Sequence, residues 1–217
     1  MIRSFKDWTQ YDLVQQFGLV KKAVKTCDVL NDWLNVETTV SEPHVLAEFD
    51  VMVADLSEFA DAWNEEELKA YFIFPLLRLV NFKSDKYKLV FERKLSVMLN
   101  GISLKGDVDA MIASGSYNRV VAPFFCLQEY KPESRKSAND VRGQLLAEML
   151  AARVLNKTDL PIYGSYMSGR IWFFATLVGQ EYCFSNGFVS DDRQGLIRIF
   201  NILRKLKRMI DKRVNES

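Results

Sequence analysis

Histidine is almost absent from this chain: among 217 residues the only one is His44. Ser-His-Asp and Cys-His catalysis, HExxH zinc sites and histidine-metal nucleases would all have to run through it. None of these has a partner motif in the sequence, and His44 falls in the first turn of an expected helix, where a surface residue belongs. Cysteine is scarce too. Cys27, Cys126 and Cys183 are odd in number, far apart and set in apolar contexts, which indicates neither a disulfide framework nor a zinc site and suits a reducing cytoplasm. No run approaches the eighteen or so apolar residues of a membrane span, and the opening MIRSFKD lacks the apolar stretch of a signal peptide. The expectation is a soluble, cytoplasmic protein with no membrane partner. GxGxxG and GxxxxGK[ST] phosphate loops are missing, which argues against nucleotide-cofactor chemistry. Excess charge is missing as well: a formal net charge of +1 speaks against non-specific coating of nucleic acid, although local patches stay open.

What is present suffices for one well-buried domain. Hydrophobic residues make up 48% and charged residues 26% of the chain, an ordinary globular balance. Residues 4 to 35 read as two helices broken at Gly18, and Ser41-Glu42-Pro43 opens a third that runs to Ala62. Asn64 to Val80 is an amphipathic helix on which Glu65, Leu68 and Phe72 share a stripe; Glu65-Glu66-Glu67 also fits a plain acidic helix start. Tyr87 to Met98 alternates as a strand, and Asn100-Gly101 predicts a tight hairpin turn into Ile102 to Ile112, with Gly106 at a bend or bulge. Val120 to Lys131 is a further strand. After the helix Val141 to Leu155, the stretch from Pro161 to Phe188 holds two or three strands in which Trp172, Phe173 and Tyr182 read as core. Asp191 to Val214 closes the chain as a helix. This order predicts an α/β fold: a mixed central sheet flanked by helices in residues 63–217, preceded by a helical N-terminal region in residues 1–62.

The chemistry concentrates in GDVDAMIASGSYNRVVAPFFCLQEYK, residues 106–131. Asp109 heads one apolar strand, and Glu129 and Lys131 close the next. Side chains alternate along a strand, so Glu129 and Lys131 leave on one face, with Gln128 and Tyr130 on the other. Carboxylates at the end of a buried strand are costly unless something compensates them. A hard cation does so, and Mg²⁺ takes one or two carboxylates together with water and phosphate oxygens, which Asp109 and Glu129 can provide.

An aspartate, about twenty residues, then Glu-x-Lys resembles the PD-(D/E)xK nuclease superfamily. Asn64-Glu65 ahead of the FIFPLL core face looks like its first-helix glutamate, and RGQLLAE at 142–148 like the helix that lends the site a polar side chain. Two positions depart from the pattern: Val108 stands where the superfamily has proline, and the middle residue of Glu-x-Lys is the bulky Tyr130. Asp107 is a rival to Asp109. The resemblance implies a restriction-endonuclease-like sheet and metal-dependent phosphodiester hydrolysis of nucleic acid, DNA above all. It implies Asp109, Glu129 and Glu65 around Mg²⁺ or Mn²⁺, Lys131 facing the attacked phosphate, and Gln144 as a secondary contributor. A partner protein or a homodimer would then supply target choice.

Arg135 and Lys136, in a polar loop beside the proposed site, and the basic face of the last helix, with Arg204, Lys205 and Arg208, are either solvated surface or contacts to a nucleic-acid backbone. Two rival readings remain. One is a catalytically silent copy of the fold serving nucleic-acid or protein interaction, and the other is an ordinary salt bridge between Glu129 and Lys131 at a strand end.

Overall fold

A computed structural model of the protein describes residues 2–115, 119–133 and 140–216. Three long antiparallel strands carry the site: β3 (Tyr87–Leu99), β4 (Ile102–Ser114) and β5 (Val121–Lys131). The β3–β4 turn is the expected Asn-Gly hairpin. Asn100 and Gly101 both take positive φ, 50° and 76°, which matches the twist of the two strands and lets Leu99 pair Ile102. Regular pairing continues through Gly106, opposite Leu95, so no bulge occurs there. The absent side chain serves Phe5 instead: a Cβ on Gly106 would stand 2.8 Å from its ring. The irregularity lies three residues on. Pairing runs from Phe91–Ala110 to Arg93–Val108 and skips Glu92 and Asp109, and Glu92 adopts a left-handed φ of 49°.

From β5 the chain crosses over through α6 (Val141–Asn156) to β6 (Ile162–Ser168), which pairs β5 in parallel. The antiparallel strands β7 (Ile171–Val178) and β8 (Glu181–Phe184) follow, and β9 (Phe188–Val189) pairs the start of β7. The N-terminal region contributes more than helices. Its β1 (Ile2–Ser4) pairs β4 in parallel and its β2 (Val20–Lys21) pairs β8, completing a nine-stranded mixed sheet. Both strands are too short for an alternation signal. Between and after them lie α1 (Gln10–Phe17), α2 (Asp28–Leu34) and α3 (Pro43–Phe59).

Each face of the sheet buries its own apolar layer. Leu13 and Phe17 of α1 join Leu145, Leu146 and Met149 of α6 over one face. The other is covered by α2, α3, the segment Phe74–Val80, and α7 (Arg193–Asn215), through residues such as Trp33, Phe49, Leu76 and Phe200. Trp172 and Tyr182 are core, as their strand positions imply, while Phe173 is partly buried and stacks on Tyr166 at 4.6 Å. The chain is thus an α/β fold with helices on both faces of a mixed sheet. No helix among the described residues is long and apolar enough to cross a membrane.

Candidate functional site

The helix that follows Asn64 fixes the first acid. Asn64 caps it reciprocally with Glu67: its side chain accepts from the Glu67 amide at 3.0 Å, while the Glu67 carboxylate accepts from the Asn64 amide at 2.8 Å. Glu66 stands in solvent. Of the three glutamates, Glu65 turns inward; its helix α4 (Glu65–Leu68) runs straight into a π-helical turn, Lys69–Ile73, and then α5 (Phe74–Val80). Glu65 Oε1 lies 3.0 Å from Lys69 Nζ and its Oε2 lies 3.7 Å from Lys131 Nζ.

At the end of β5, Glu129 and Lys131 share a face as strand alternation requires, with Lys131 Nζ 3.4 Å from Glu129 Oε2. Tyr130 points the other way into the core, donating to Gln128 at 2.5 Å and packing its ring edge toward Trp172. Its bulk therefore never enters the site. Asp109 arrives from β4: Oδ2 accepts the Tyr130 amide at 2.9 Å, and Oδ1 lies 3.4 Å from Lys69 Nζ. Asp107 is exposed, which leaves Asp109 as the β4 carboxylate of the cluster.

The electrostatics follow from burial. Glu129 has no exposed side-chain surface, and its carboxyl is pushed up to about 7, chiefly by desolvation and then by the neighbouring Asp109 charge. Burial also raises Asp109, against the pull of Lys131 and Lys69. Lys131 loses hydration, yet Glu129, Asp109 and Glu65 outweigh that loss and hold its proton above the usual lysine range. Behind Glu129 sits Glu148 of α6, fully buried and raised well above an ordinary glutamate by desolvation first and by Glu129 second. Gln144 donates to Glu148 Oε1 at 3.2 Å, so it supports Glu148 instead of reaching the front of the site.

Three residues of this cluster escape sequence reasoning. Lys69, with a side chain 3% exposed, sits 2.8 Å from Glu92 as well as near Glu65 and Asp109; its only signal was the i,i+4 spacing from Glu65. Glu148 follows Gln144 at the same spacing. Glu92 looks like any polar position of an alternating strand.

Among the described residues no three Asp, Glu, His or Cys side chains form a ready-made cage. Magnesium needs fewer, since one or two carboxylates with water complete its octahedron. Asp109 and Glu129 could supply that many, and both oxygens of Glu129 are buried, Oε2 standing 3.4 Å from the Lys131 ammonium with the Glu148 carboxyl alongside. A wholly buried carboxylate balanced by one ammonium would gain from a divalent cation, because burial costs it its hydration.

The basic residues fall elsewhere. Arg204 pairs Glu42 at 2.8 Å and lies over the Phe200 ring, and Lys205 pairs Asp32 at 3.2 Å and bonds the Asn35 carbonyl at the same distance. With the exposed Arg208 they line a hollow bounded by the 35–42 loop, which none of the clustered acids or lysines lines. Arg135 and Lys136 lie outside the described residues. Neither a protein-family model nor a curated protein matches the chain significantly.

Proposed function

We propose that the chain is a divalent-cation-dependent phosphodiesterase acting on nucleic acid, with DNA as its substrate and a restriction-endonuclease-like core. The observation that carries this reading is the meeting of Glu65, Asp109, Glu129 and Lys131 from one helix and two adjacent strands, with the Glu129 carboxylate wholly buried. Asp109 and Glu129 would hold Mg²⁺ or Mn²⁺, with Glu65 beside them. A bound divalent ion supplies water activation and charge neutralisation at the phosphate. Asp109 is oriented by the Tyr130 amide, which fixes one oxygen and leaves the other toward the cluster. Lys131 keeps a proton among the acids and presents a fixed ammonium to the phosphate, where a partly dehydrated charge is most effective. Gln144 acts behind them, holding Glu148 against Glu129.

The test is incubation of purified protein with plasmid, linear duplex and single-stranded DNA plus Mg²⁺ or Mn²⁺. Expected is chelator-sensitive cleavage that Asp109→Ala and Glu129→Ala abolish. Absence of cleavage in every arm, or cleavage unaffected by Asp109→Ala, sinks the reading. A second reading, a catalytically silent module of the same fold, draws support from Lys69, which already ion-pairs Glu65, Glu92 and Asp109. It expects DNA binding that neither metal nor Asp109→Ala alters.

A further inference from the structure

We propose that Lys69 is a resident, tethered cation that occupies one of the two cation positions of this site and so limits the divalent ions it accepts. The proposal rests on the metal-binding reading above and adds a residue that reading does not use. The cluster has two poles. At one, the Lys69 ammonium has four carboxylates within 4 Å: Glu92 at 2.8, Glu65 at 3.0, Asp109 at 3.4 and Glu66 at 3.8 Å. At the other, the fully buried Glu129 carboxylate meets a single ammonium, that of Lys131 at 3.4 Å, with the Glu148 carboxyl behind it. Asp109 lies between the poles, giving Oδ1 to Lys69 and Oδ2 to the Tyr130 amide.

The first pole has the charge pattern of a cation site already filled. A buried lysine facing several carboxylates compensates them as a hard ion would, and it cannot diffuse away. The backbone supports this assignment. Lys69 opens the π-helical turn, and Glu92, a non-glycine residue inside a strand, holds a left-handed φ of 49° at the point where it meets Lys69. Such a conformation is unfavourable for a residue with a side chain and persists only where surrounding contacts enforce it. Lys69 thus belongs to the site's charge balance as a positioning residue: it holds Glu65 and Asp109 and leaves the Glu129 pole for a divalent ion.

Counting Mn²⁺ by equilibrium dialysis and by electron paramagnetic resonance of free Mn²⁺ tests this without any catalytic readout. Lys69→Gln is expected to bind one more Mn²⁺ per chain than the wild type, while Lys69→Arg, which keeps the charge, is expected to bind the wild-type number. No gain in Lys69→Gln, or an equal gain in Lys69→Arg, overturns the proposal. The wild-type count reports separately on the nuclease reading. One ion agrees with both ideas, and none in the wild type with one in Lys69→Gln keeps Lys69 as the resident cation while favouring the silent module. None in either sinks both. Should Lys69→Gln fail to fold, anomalous diffraction from wild-type crystals soaked in Mn²⁺ decides. A peak beside Glu129 with Lys69 still on Asp109 upholds the assignment, and a peak at the Lys69 position with that side chain displaced refutes it.

Discussion

The strongest constraints in the cluster belong to single side chains whose charges have lost water. Lys131 is held protonated by three acids, so its contribution is a fixed positive charge. Lys131→Met is expected to lower kcat by about 100- to 1000-fold, the usual effect of deleting one preorganised electrostatic contact, with the melting temperature held as a check on folding. A smaller loss with an unchanged fold would remove Lys131 from the reacting centre. Glu148 behaves oppositely, because burial and Glu129 raise its carboxyl instead of stabilising its charge. An acid that binds its proton more tightly folded than unfolded makes the native state lose stability as pH rises above the unfolded glutamate value, about 4.3. For Glu129 that loss extends up to about 7. In chelator, Glu148→Gln is therefore expected to melt higher than the wild type at neutral and alkaline pH and to flatten the fall in melting temperature from about pH 5 upward. A lower melting temperature with the same slope would contradict the assignment. Glu129 and Lys131 were legible because strand alternation fixes their common direction, whereas Asp109 shares its strand face with Asp107 and was singled out only by the resemblance. Lys69 and Glu148 were not, since i,i+4 spacing is met by many solvated pairs.

At the scale of elements, the site depends on how closely α6 approaches the N-terminal segment. Gly143 makes that approach possible: a Cβ there would stand 2.2 Å from the Trp8 carbonyl oxygen and 2.7 Å from Thr9 Cα, both backbone atoms that cannot swing aside. Gly143→Ala is expected to destabilise the fold by about 1–3 kcal/mol in denaturant titration. It should also weaken Mn²⁺ binding, because α6 carries Gln144 and Glu148 behind Glu129. Unchanged stability would mean that the two segments can separate freely. Periodicity and punctuation located most elements here. The Asn100-Gly101 hairpin, the Asn64 cap and the Asp192 cap of α7, which accepts from the Gln194 and Gly195 amides, are set by adjacent residues. The strands β1 and β2 are set by what they pair with, and two or three residues carry no period of their own.

For the whole molecule, surface charge divides between internal contacts and open solvent in a way composition hides. Arg204 and Lys205 are tied to Glu42, Asp32 and loop carbonyls, whereas Arg208 is exposed. Arg208→Ala is expected to weaken DNA binding across sequences and to reduce the slope of log affinity against log salt by about one, while Arg204→Ala is expected to lower thermal stability instead. An unchanged slope for Arg208→Ala would remove Arg208 from the proposed nucleic-acid contacts. The sequence by itself determined most of the longer helices and strands, the mixed α/β class and the shared direction of Glu129 and Lys131, because each follows from spacing along a regular backbone. Only the tertiary structure decided that Glu65 turns inward, that Lys69, Glu92 and Glu148 join the cluster, and that Arg204 and Lys205 are engaged elsewhere. Those partners lie tens to more than a hundred residues apart in the chain, and a charge's surroundings are fixed by what folds against it, which no local pattern encodes.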